Sequence, residues 1–138
     1  MALDEFKLFS WKNKETQQKE QEAYAKWAFP HGQRQRDNLE RLVRSLYPKE
    51  SLPSVLVPFL TCKELYDRYL KQAGSRDEAT DMLLNNTRKY KHLVKKRDMT
   101  TYAALVIADA AVDESCDYPS ADEIREAAQE LDKRYNAK

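Results

Sequence analysis

Leu39, Leu42, Val43 and Leu46 fall at positions i, i+3, i+4 and i+7, and this spacing draws one apolar stripe along a helix predicted over 34–46. Ahead of it, a helix over about 14–29 carries apolar residues only toward its end, at Ala23, Tyr24, Trp27 and Ala28. Its beginning is therefore expected to project into solvent or to meet a partner. Pro30, His31 and Gly32 stop it, because proline lacks a backbone donor and glycine tolerates the left-handed conformation that ends helices. After Pro48, a short apolar segment holds Val55, Leu56, Phe59 and Leu60; Pro58 within it is expected to kink or end a helix.

Three capping-box patterns follow, Thr61 with Glu64, Ser75 with Glu78 and Ser120 with Glu123, in which hydroxyl and carboxylate each satisfy a free backbone donor. The first opens a helix to Ala73, with Leu65, Tyr66, Tyr69, Leu70 and Ala73 inward and Gly74 at its end. The second begins a helix over 76–97 whose stripe runs through Ala79, Met82, Leu83, Asn86, Tyr90 and Leu93. So short a connection makes these two helices neighbours. Residues 100–115 are the most apolar stretch, broken by a lone Asp109, and read as the central helix. The third cap starts a last helix with Ile124, Ala127, Ala128, Leu131 and Tyr135 at helical spacing. No stretch alternates with period two between turn glycines, and nothing repeats at solenoid spacing. The predicted fold is all-α, a compact single-domain bundle of five to six helices over 14–138, preceded by an apolar and aromatic segment over 1–13 that holds Leu3, Phe6, Leu8, Phe9 and Trp11.

A chain of 138 residues fits one core, and 34% charged residues with only two glycines favour long, charge-faced helices with few tight turns. The net charge of +1 demands neither nucleic acid nor an acidic membrane surface. Cys62 and Cys116 lie far apart, which suits a reducing cytosol. The chain opens with acids where a signal peptide carries its basic region, has Ala2 where N-myristoylation needs glycine, and holds no run of about 18 apolar residues. A cytoplasmic protein with no membrane association is expected.

Chemistry has few places to sit. Gly32 and Gly74, both at helix ends, form no phosphate-cradling loop, and neither His31 nor His92 has another histidine or cysteine within one or two helical turns. Cys62 falls at the first turn of the helix predicted over about 62–73, where the dipole favours a thiolate, but a buried packing role is the simpler expectation. Asp109 and Asp113, four apart, share one face of the central helix. They are weak metal candidates, since calcium takes about six to eight oxygens, and the preferred reading is a pair bridging to Arg or Lys from the preceding helix. No catalytic constellation is visible, so neither a metal, a cofactor nor an enzyme is expected.

The near-zero total hides a division of charge. Arg88, Lys89, Lys91, Lys95, Lys96 and Arg97 follow one another without an acid, whereas from Asp98 to Asp132 the only base is Arg125. Arg88, Lys91 and Lys95 share a face and, with Lys96, form a basic helix end suited to a nucleic-acid backbone. The helix dipole also favours cations there, and acids at the start of that helix fit a helix-turn-helix poorly. Phe6, Phe9, Trp11 and Trp27 are residue types that anchor protein interfaces, unless they dock on their own bundle or join two copies of the chain. The sequence thus points to a small cytosolic adaptor or regulatory protein acting by protein-protein interaction. The alternative is a nucleic-acid-associated protein using the basic end of helix 76–97.

Overall fold

The computed structural model describes residues 18–85 and 99–136, with side chains as far as Arg134. Over these residues the chain is an all-α bundle: α1 (18–28), α2 (Gln33–Leu46), α3 (Leu52–Ala73), α4 (Arg76–Asn85), α5 (Met99–Ala110) and α6 (Ala121–Asn136). No strand occurs among the described residues. α3 is the spine, packing against α2, α4 and α5, and α6 closes the bundle against α5 and α2. Leu39 of α2, Phe59 of α3 and Leu105 of α5 are fully buried. Each such side chain contributes about 1.5–3 kcal/mol relative to leaving it in water.

Several local signals act as the sequence predicts. Gly74 has φ 77°, its N–H donating to the Leu70 carbonyl to close α3, whereas Gly32, also expected to end a helix, precedes α2 with φ 90° and ψ −158° after α1 has ended at Ala28. The N–H of Glu78 donates to Ser75 Oγ at 3.2 Å. The Ser120 box forms in both directions, with Glu123 N–H donating to Ser120 Oγ at 3.2 Å and Ser120 N–H to Glu123 Oε1 at 3.4 Å. Ile124 and Ala128 of the predicted α6 stripe are buried, Leu131 is half-buried and Ala127 is exposed.

Two boundaries differ from the sequence expectation. α3 begins at Leu52, and Pro58 lies inside it. Proline there removes one helical hydrogen bond at a cost of about 3 kcal/mol. Val55, Pro58, Phe59, Cys62, Tyr66 and Tyr69 are all buried along one face, and burying that stripe outweighs the loss. Thr61 consequently caps nothing; mid-helix, its Oγ1 donates to the Val57 carbonyl at 2.9 Å. Cys62 is likewise in the middle of α3, away from the field of a helix N-terminus.

The second difference is at α5, which ends at Ala110. Two tighter bonds, Ala111 N–H to Ala108 O and Val112 N–H to Asp109 O, turn the chain into the connection that leads to α6. In that connection Cys116 adopts φ 61°, unusual for a residue other than glycine, and Asn38 holds its carbonyl with a 2.7 Å hydrogen bond from α2. Asp113 therefore does not share a helical face with Asp109.

Candidate functional site

One buried polar network ties α1, α2, α3, α5 and the α5–α6 connection together. Lys63 Nζ, from the middle of α3, donates to Asp109 Oδ2 at 2.8 Å and to the Ala28 carbonyl at 2.8 Å. Ala28 is the last residue of α1, where carbonyls have no partner within the helix, so the ammonium also caps α1. The Trp27 ring covers the ammonium with its centroid 5.2 Å away, and the indole N–H donates to Asp67 Oδ2 at 2.7 Å. The other Asp109 oxygen accepts the Tyr118 hydroxyl at 2.6 Å and the Gln35 amide at 3.2 Å. Gln35 in turn accepts the His31 N–H at 2.9 Å, and the His31 ring, through Nε2, lies 3.2 Å from the Val112 carbonyl.

The Asp109 side chain is 1% exposed and its contacts come from α2, α3 and the α5–α6 connection. The network therefore joins elements far apart in sequence. Burial and the adjacent carboxylate hold the Tyr118 proton well above the usual tyrosine range. Burial alone pushes the Cys62 thiol up to about 12, opposite to the dipole effect expected at a helix start. Asp113 is exposed, and hydrogen bonds from Ser115 hold its carboxyl below the usual range. Among the described residues, no group of three or more His, Cys, Asp or Glu could hold a metal ion. The Asp109–Asp113 cation pair of the sequence reading is thus separated by the end of α5. The bridging base comes from α3 and not from the helix immediately before α5.

Beside this network lies an open groove of about 730 Å³ between α1 and α3, lined by Tyr24, Ala25, Ala28, Phe29, Leu56 and Leu60. Glu20, Gln21 and Arg36 complete its rim. The Arg36 guanidinium lies 5.8 Å from the Phe29 ring centroid and pairs with Glu40 at 3.1 Å. Residues 18–26 of α1 are exposed, and the end of the helix is held by bonds of Trp27 and Ala28 to α3. Tyr24 is 50% exposed and Val57 on α3 is 54% exposed, the large apolar side chains most open to solvent among the described residues.

Of the interface candidates, Trp27 is half-buried and engaged within the chain; Phe6, Phe9 and Trp11 lie outside the described residues. So do the basic candidates Arg88, Lys91, Lys95 and Lys96. Sequence reasoning passed over Lys63, Gln35 and Tyr118. Two of them carried a signal: Lys63 sits between Phe59 and Tyr66 on the α3 stripe, and Gln35 lies one turn before Leu39 on the α2 stripe. A polar residue at a core position calls for a buried partner.

Comparison with protein-family models, with curated proteins and with solved structures finds no match to this chain. No helix among the described residues is long and apolar enough to cross a membrane.

Proposed function

We propose that this protein is a small cytosolic adaptor or regulatory protein that acts by binding another protein through α1 and the adjoining face of α3. The observation that carries this reading is the apolar groove between α1 and α3, with Tyr24 in its lining open to solvent and the exposed Val57 next in sequence to its Leu56. An exposed aromatic next to a concave apolar surface is the kind of feature that supplies most of the energy of an interface. The network around Asp109 supports it by fixing the end of α1 against α3 beside the groove.

The test is affinity capture from a lysate of the source cells, comparing the wild type with a Tyr24→Glu/Val57→Glu double variant. Both positions are solvent-facing, so the variant is expected to keep its melting temperature within about 2 °C. A protein retained by the wild type and lost by the variant supports the reading; identical capture by both overturns it. The nucleic-acid alternative is carried by the unbroken run of bases from Arg88 to Arg97. It is tested by anisotropy with labelled single- and double-stranded DNA and RNA at about 50 and about 200 mM salt, where phosphate binding weakens steeply. Tight, salt-sensitive binding lost on changing Lys91, Lys95 and Lys96 to Glu would replace the protein-partner reading.

A further inference from the structure

On the side of the bundle formed by α5 and α6, a second groove of about 610 Å³ is lined by Ala104, Ile107, Ala108, Pro119, Ala127 and Leu131. Ile107 and Leu131 are half-buried and Ala127 is exposed, so this seam between two packed helices is open along its length. Small side chains at Ala104, Ala108 and Ala127 let another backbone approach closely. Glu123 and Glu130 lie on the groove itself. With the exposed Glu126 they stand at i, i+3 and i+7 on α6, an edge of carboxylates that rises about 10 Å along the helix. Arg134 at the far end is drawn toward Asp81 of α4, at 3.6 Å. Across 110–134 the acids Asp113, Glu114, Asp117, Asp122, Glu123, Glu126, Glu130 and Asp132 outnumber the bases Arg125, Lys133 and Arg134, of which Lys133 pairs with Glu130 at 3.6 Å, both side chains being largely exposed. Arg125 itself is turned to Asp122 and to the Ser45 carbonyl of α2.

We infer that this groove receives a basic amphipathic helix from a partner protein. Its apolar face lies over Ala108, Ala127 and Leu131, and lysine or arginine one turn apart lies against Glu123, Glu126 and Glu130. The shape suits a helix because the floor is a straight seam between two helices, and an added helix packs there by ridges into grooves. The charge decides the sign of the partner: an acidic helix would meet like charges along the whole α6 edge, and a neutral one would leave that edge unused. The inference shares with the proposed function only the premise that the protein binds other proteins; it concerns a different face, so each can fail alone.

The test uses the full chain and a synthetic 18-residue Leu/Lys peptide patterned as an amphipathic helix. Its controls are a Leu/Glu peptide of the same pattern and a Leu/Lys peptide of scrambled order. The patterned Leu/Lys peptide is expected to bind, to shift the amide resonances of Ile107, Ala127 and Leu131, and to bind at least about tenfold more tightly than either control. Ala127→Arg, at an exposed position, is expected to weaken binding about tenfold with an unchanged melting temperature, and Glu126→Lys/Glu130→Lys to weaken it about as much. Tyr24→Glu/Val57→Glu is expected to leave this binding unchanged, which separates it from the α1 surface. Equal binding of the scrambled peptide, resonance shifts confined to other faces, or no binding at about 100 μM peptide overturns the inference. So does a wild-type dimer that Ala127→Arg converts to monomer in analytical ultracentrifugation, since the occupant is then a second copy.

Discussion

Asp109 accepts hydrogen bonds from Lys63, Gln35 and Tyr118, and among the described residues Lys63 has the Ala28 carbonyl and the face of Trp27 besides. Removing one member of a buried ion pair leaves the other charge without compensation, which costs about 3–5 kcal/mol. Asp109→Asn is therefore expected to lower the unfolding free energy by about that much in urea titration. Lys63→Met should cost less, because Gln35 and Tyr118 still donate to the remaining carboxylate. The Asp109→Asn/Lys63→Met double variant should be more stable than the sum of the two losses. Strict additivity would mean that the two groups do not interact. This residue-scale tie was only partly legible in the sequence. Asp109 stood out against its apolar neighbours, and a basic partner follows from the cost of burying a lone charge. Which base it would be depended on how α3 and α5 cross, and no spacing within either helix contains that.

At the scale of elements, three hydroxyl-and-glutamate patterns look alike in sequence and differ in the folded chain. Ser120→Ala removes an N-cap that is bonded in both directions and is expected to cost about 1 kcal/mol. Thr61→Val replaces a hydroxyl bonded to a carbonyl within a continuous helix, and is expected to change stability by no more than about 0.5 kcal/mol. Equal losses from the two would place a helix start at Thr61 and contradict the course of α3. The discriminating signal was the stripe of Val55, Phe59, Cys62, Tyr66 and Tyr69, which keeps its period straight through Pro58. A single proline is a strong local breaker, and only the summed burial on both sides of it shows that it is overridden. In α1 it is the last turn that is bonded to α3, through Trp27 and Ala28. Trp27→Ala removes the Asp67 hydrogen bond and the cover over Lys63, and is expected to speed amide exchange throughout 18–28 while α2 and α6 keep theirs. Protection in α1 that survives the substitution would mean that the helix is held elsewhere.

For the whole molecule, the buried thiol and phenol make stability sensitive to alkali. Cys62 keeps its proton to about 12 in the folded chain against an ordinary value of 9.0, so above about pH 9 the unfolded chain releases a proton that the folded one retains. Stability contributed by this group is complete below pH 9 and falls as pH rises, by about 1.4 kcal/mol per unit. Tyr118 acts in the same direction from its ordinary value of 10.0 upward. Urea midpoints measured from pH 7 to 11 are expected to fall from about pH 9, and in Cys62→Ala the fall should begin about one unit later. An onset unmoved by that substitution would assign the loss to other groups. The division of charge also belongs to this scale. The acids of 110–132 were visible as a run in the sequence, but their placement beside the apolar seam between α5 and α6 was not, because it depends on which face of α6 the core takes.

The class and order of the helices, the stripe of α2, the glycine end at Gly74 and the start of α6 at Ser120 are all written in the order of residues along the chain. These rest on hydrogen bonds and apolar periods within a few residues of each other, so they can be read along the chain. Tertiary structure alone decided that α3 continues through Pro58, that α5 stops before Asp113, and that Asp109 meets a lysine 46 residues away. In each case free energy from burying distant parts of the chain together outweighs a local preference worth a few kilocalories, and the identity of those distant parts is fixed only when the helices pack.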